Sequence, residues 1–184
     1  MKGVSFLIRH NISTNCCKNI EKNVRRGVMN VLKPIRVTRT YTQTLVAPPD
    51  KVFPLLCPVR EIDWAVGWQP LCVFSFSGIA EPDCVFMTPG DPTDAIWYVT
   101  RHEPENCLVE MVKITPGITA CRIIIRLHPS GSGCNAVVTY SYTSLGPKGT
   151  EIVESITEDY YCQFMRAWET ELNYYLSTGR KLST

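Results

Sequence analysis

Few residues in this 184-residue chain could carry out chemistry, and they are scattered. Glu61 and Asp63 lie in the run Cys57-Pro58-Val59-Arg60-Glu61-Ile62-Asp63-Trp64. An indole that strips water from a carboxylate raises its pKa, as a general acid requires. In the alternative reading, Arg60, Glu61 and Asp63 are solvent-facing charges in a loop. His102 closes a strand-like run and is the third acid–base candidate, although a strand-end histidine is commonly a solvated surface group. Cys57, Cys84 and Cys162 have no neighbouring base in sequence to generate a thiolate. Arg101 and Glu110 either face inward to orient a polar ligand or, more commonly for neighbouring strands, pair on the outer face. There is no phosphate loop, nucleophile elbow or metal-ligand spacing, so nothing calls for a metal or a cofactor.

These residues must be positioned by one ordinary globular domain: 45% of residues are hydrophobic and 20% charged. No apolar run reaches the roughly 18 residues of a membrane helix, so no integral membrane association is expected. Nine cysteines with no Cys-x-x-Cys pair read as free thiols in a reducing cytosol, which places the protein in the cytoplasm. The net charge of +2 hides an asymmetry. Up to Arg39 there are nine Lys/Arg against Glu21 alone, leaving ten of the 19 basic and sixteen of the 17 acidic side chains for the rest. An acidic body argues against a nucleic-acid partner, because phosphate contacts need clustered Lys/Arg.

Residues 1–35 read as a basic leader outside the domain, and 36–184 as the domain. Three readings of the leader stand open: a disordered tail, an organelle transit peptide, or an upstream extension before a true start at Met29.

The domain opens with a strand, Arg36 to Val46, in which threonines alternate with larger residues. Pro48-Pro49 then starts a short helix kinked by Pro54, and Val59 to Val66 gives a second helical turn closed by Gly67. Six further strands follow: Leu71–Ser77, Cys84–Thr88, Ala95–His102, Cys107–Thr115, Thr119–His128 and Asn135–Leu145. Their short Gly/Pro/Asn/Asp loops favour an antiparallel meander. The chain ends in one long amphipathic helix, Thr150 to Ser177, of roughly 27 residues and about 40 Å.

This order resembles the helix-grip fold of the START, birch-pollen-allergen and polyketide-cyclase superfamily (SRPBCC). The resemblance is carried by the Val46-Ala47-Pro48-Pro49-Asp50-Lys51-Val52-Phe53 junction, the stretch from Cys57 through Trp64 to Gly67-Trp68, and the closing helix with Phe164 and Trp168. It implies an α+β domain in which a seven-stranded curved antiparallel sheet wraps around the C-terminal helix, with two short helices after the first strand. It also implies a cavity between sheet and helix for a hydrophobic small molecule.

The cavity wall expected from the helix is Ile156, Thr157, Tyr160, Tyr161, Phe164 and Trp168. From the strands come Phe76, Phe86, Trp97, Val99, Met111, Ile123, Ile125, Val138, Tyr140 and Tyr142, with Trp64 and Trp68 at the mouth. Arg122, Arg126 and His128 share the outer face of their strand, which puts Cys121, Ile123, Ile125 and Leu127 inside. The competing reading is a tightly packed core. An empty cavity of about 300 Å³ would cost on the order of 7 kcal/mol, so any such space must be filled. The function expected is binding or carriage of a hydrophobic or aromatic small molecule without chemistry. A cyclase or aromatase acting in the same cavity is the alternative, and a co-chaperone-like protein-binding module the third. A monomer or a dimer is expected.

Overall fold

The computed structural model describes residues 31–183. The readings of the leader therefore fall, for residues 1–30, outside the described residues. Seven strands form one antiparallel sheet: β1 Arg36–Leu45, β2 Cys72–Phe74, β3 Val85–Thr88, β4 Ala95–Glu103, β5 Leu108–Thr115, β6 Thr119–Ser130 and β7 Gly133–Ser144. In space their order is β1-β7-β6-β5-β4-β3-β2. β2 to β7 are thus the meander expected from the short loops, and β1 closes the far side against β7.

Alternation along β6 is strict, with Cys121, Ile123, Ile125 and Leu127 buried and Arg122, Arg126 and His128 exposed. β2 is shorter than expected. Beyond Phe74 the loop folds on itself: the Glu81 carboxylate accepts from the backbone N–H groups of Phe76 and Ser77, and Ser75 Oγ donates to Ile79 O. Groups that would have extended the strand are engaged locally, and Phe76 is fully exposed.

Between β1 and β2, helix α1 (Pro49–Val52) runs directly into a 3₁₀ turn over Phe53–Leu55, and a second 3₁₀ turn covers Glu61–Asp63. Pro54 lacks the N–H that an α-helix would need there.

The C-terminal helix is two helices, α2 Pro147–Ser155 and α3 Glu158–Thr178, and not one. Ile156 (φ −78°, ψ 73°) and Thr157 (φ −70°, ψ 166°) leave helical geometry. Thr157 caps α3 by accepting from the Tyr160 N–H at 3.2 Å, and Glu158 and Asp159 suit the positive helix start. The break resets the rotational phase of everything before it. It therefore overturns the placing of Thr157 and Tyr160 in the cavity wall: both are exposed, Tyr160 by 57%. Ile156 is buried at the junction, where its carbonyl accepts from Arg39 Nε at 3.1 Å. The stripe of α3 is Tyr161, Phe164, Met165, Trp168, Leu172, Tyr175 and Leu176, at spacings of three and four.

Helix α3 also covers the C-terminal end of the outer edge of β1. Glu169 accepts from Thr44 N at 2.8 Å and from Tyr41 Oη at 3.0 Å. One turn on, Asn173 accepts from Val46 N and donates to Thr44 O, both at 2.9 Å. Gln43, buried, donates to Met165 O at 3.0 Å.

Candidate functional site

The interior between the sheet and α3 is mostly packed. Val99, Val138, Trp64 and Tyr161 are at most 1% exposed and face no opening. Tyr161 donates its phenol proton to Val138 O at 2.9 Å, fixing helix to sheet. Trp64 is a core residue rather than a mouth residue. Its indole N–H donates to Leu55 O at 2.9 Å, and its ring meets Trp168 edge-on at 5.6 Å.

Two spaces remain near one end of this interior. The outer is a vestibule of about 330 Å³, walled by Trp68, Trp97, Tyr140, Tyr142, Phe164 and Trp168, with Thr88, Lys113 and the Ala65–Gln69 loop at its border. The inner is a chamber of about 10 Å³ lined by Glu61, Phe86, Met111, Ile123 and Ile125. Trp68, Trp97, Tyr140 and Trp168 line both and form the partition. The inner chamber has room for about one water. At about 24 cal/mol per Å³ it costs on the order of 0.2 kcal/mol even when dry. The vestibule opens to solvent and carries no such penalty.

Each wall is held by its own element. Trp68 follows the second 3₁₀ turn, its indole N–H donating to Pro58 O at 2.8 Å. The loop carrying it is tied to α3 through the Val66 N–H and Glu171 Oε2, 2.9 Å apart. Trp97 stands on the inward side of β4, stacked on Phe86 at 5.1 Å, and donates to Thr88 Oγ1 at 2.9 Å. With both indole N–H groups engaged, these side chains present apolar surface to the vestibule.

Lys113 was not anticipated. In β5 it lies two residues beyond the buried Met111 and opposite Trp97 and Cys121, both inward-facing. Strand alternation therefore aims it inward, and the parity that placed Met111 in the wall was the signal. Its ammonium lies 4.8 Å from the Trp97 ring centroid, a cation–π contact, and burial lowers its pKa. Among the described residues it joins no ion pair.

The two carboxylates separate. Within the turn, Glu61 shares a side with Trp64 and Ala65, three and four residues on, and all three are buried. Glu61 faces the inner chamber, and desolvation alone pushes its pKa up to about 8. Tyr140 is close enough to Glu61 for their charges to interact, and burial lifts its phenol well above the ordinary value. Both groups are thus neutral proton donors at neutral pH. Asp63 instead points outward and accepts from Arg60 Nε at 2.7 Å, as the solvated-loop reading had it.

His102 is five residues along β4 from Trp97, roughly 16 Å, and its ring lies 5.1 Å from that of Phe53 rather than at the vestibule. Burial lowers its pKa. Glu110 pairs with Arg122 at 3.0 Å and Arg101 with Glu103 at 2.7 Å, so no inward ion pair forms between Arg101 and Glu110. Burial pushes the Cys84 thiol up, and Cys57 Sγ accepts from Ala80 N at 3.1 Å. Neither these two nor Cys162 lines the vestibule. Of the expected wall, Phe76, Thr157 and Tyr160 are corrected to exposed positions, and Ile156 to the helix junction.

No family model matches this sequence, and no curated protein does. Solved structures do. Norcoclaurine synthase from Thalictrum flavum is 13% identical with a TM-score of 0.59, the match covering 96% of this chain and 99% of that one. The same enzyme in complex with dopamine and hydroxybenzaldehyde gives 15% identity and a TM-score of 0.56, over 86% of this chain and 99% of that one. Ara h 8.0201 gives 14% and 0.55, over 78% of this chain and 100% of that one. At such identities the likeness speaks to architecture, and it agrees with the strand order and the closing helix: the chain has the helix-grip fold seen in these proteins, an antiparallel seven-stranded sheet closed by a long C-terminal helix.

Proposed function

We propose that this protein binds a small, planar, largely apolar molecule in the vestibule. The observation that carries this reading is the wall itself: three indoles, two phenols and a phenyl ring border an open space of about 330 Å³. That volume sits at the lower end of small-molecule sites, which are apolar with a few placed polar groups. The norcoclaurine synthase bound to dopamine and hydroxybenzaldehyde supports the reading, since that protein of the same fold holds aromatic small molecules. The test is titration of the full chain with 2-naphthamide, a neutral two-ring probe, read by tryptophan fluorescence and by Tm. Binding quenches the emission and raises stability as RT ln(1 + [L]/Kd). An unchanged spectrum and Tm at millimolar concentrations of this probe and of its carboxylate analogue, 2-naphthoate, would end this reading.

One observation favours a second reading, a cyclase-like enzyme. Glu61 is an acid still protonated at neutral pH, one aromatic layer below the vestibule, with the Tyr140 phenol beside it. In that role Tyr140, which lines both spaces, would give its phenol proton to a bound carbonyl or enolate and be reprotonated by Glu61, which is left as the carboxylate. Glu61→Gln would then remove turnover while sparing ligand affinity, and turnover surviving in that variant would rule it out.

A further inference from the structure

Building on the vestibule as a small-molecule site, we propose that its ligands are planar aromatic anions, with the rings held among Trp68, Trp97 and Trp168 and the ligand's carboxylate on Lys113 Nζ. Three observations converge. First, among the described residues Lys113 is the one charged side chain lining the vestibule, and no Asp or Glu belongs to that lining. Second, its ammonium has exchanged part of its hydration for an indole face and joins no ion pair among the described residues. A half-buried cation without a counter-charge is a deficit that an arriving anion makes good. Third, Thr88 Oγ1 uses a lone pair to accept from Trp97, leaving its own O–H free as a second donor at the same border. No group lining the vestibule opposes an anion, and the Glu171 carboxylate that holds the Ala65–Gln69 loop accepts from the Val66 N–H and does not line the space. Glu61 belongs to the inner chamber and holds its proton at neutral pH, and Tyr140 and Tyr142 are kept neutral by burial. A cationic ligand would meet Lys113 and find no carboxylate in the lining among the described residues.

The experiment compares 2-naphthoate with 2-naphthamide, which share ring size and differ in charge, on the full chain at neutral pH by tryptophan quenching. Wild type should bind the naphthoate at least about tenfold more tightly, a difference of about 1.4 kcal/mol. In Lys113→Met and in Lys113→Gln that ratio should fall to about one through loss of naphthoate affinity, with naphthamide little changed. Equal affinities in the wild type, or a preference surviving in both variants, would overturn the inference while leaving the vestibule a small-molecule site. If neither probe binds, the vestibule reading itself fails, and the anion preference with it.

Discussion

The ammonium of Lys113 and the ring of Trp97 sit face to face on paired positions of β5 and β4, 4.8 Å apart. Trp97 is immobilised from behind by Phe86 and by its bond to Thr88 Oγ1, so the cation rests on a fixed surface. A lysine on the concave face of a sheet opposes the usual inside–outside pattern. Such departures concentrate where function outweighs stability.

Removing the charge should therefore stabilise the ligand-free protein. Lys113→Met keeps a long flexible side chain against Trp97 and relieves the desolvation that lowers the lysine pKa. It forfeits a cation–π contact of roughly 0.5–1 kcal/mol. We expect Tm to rise by a few degrees in differential scanning calorimetry; a fall would show that the indole contact outweighs desolvation.

Glu61 should give stability a distinctive pH dependence. Its pKa is raised from 4.5 unfolded to about 8 folded, so between these values the folded chain keeps a proton that the unfolded chain has released. The contribution of Glu61 to stability is thus full below about 4.5, declines as pH rises, and levels off above about 8, a loss of up to about 5 kcal/mol. Glu61→Gln should lack this decline. Urea melts of both proteins at pH 5 and pH 8.5 isolate the effect, and parallel curves would refute it.

The two ends of the Asp63-Trp64 dipeptide should respond in opposite ways. Trp64→Ala empties a fully buried site, strands Leu55 O and removes the edge contact with Trp168, for a loss of about 3–5 kcal/mol. Asp63→Ala breaks an exposed ion pair with Arg60 and should stay within about 0.5–1 kcal/mol. Comparable losses in chemical denaturation would mean that this turn is packed differently.

Thr157→Ala should remove the cap of α3, at about 1 kcal/mol, while Thr157→Ser should be close to neutral. If the two variants melt alike, the interruption between α2 and α3 does not depend on the hydroxyl.

The sheet was largely legible because its signals are local. Turn residues punctuate every β-connection, and the charges of β6 settle its parity unaided. The helix break was not legible, since Ile156-Thr157 contains no proline or glycine, and a cap inside an amphipathic run looks like one more polar residue on the outer face. Extending one phase across it misplaced Thr157 and Tyr160 and missed Met165, which is fully buried. Phe76 was misplaced because the competing bonds of Glu81 come from five residues away. Glu61 was visible as a candidate, but only the turn's geometry separates it from Asp63: the exposed Ile62 and the buried Glu61 exchange the environments their side chains would choose alone. Lys113 was readable from the parity of Met111 and was passed over because lysine is expected outside.

The Glu169 and Asn173 contacts have an implication for how copies of this chain behave at high concentration. By occupying Thr44 N, Thr44 O and Val46 N, they leave those sites no valence for a foreign strand. The molecule resembles a zip fastener closed at one terminus: a foreign strand laid along β1 finds its last positions taken while the last turns of α3 stay docked, and has only the residues before Thr44 to pair with.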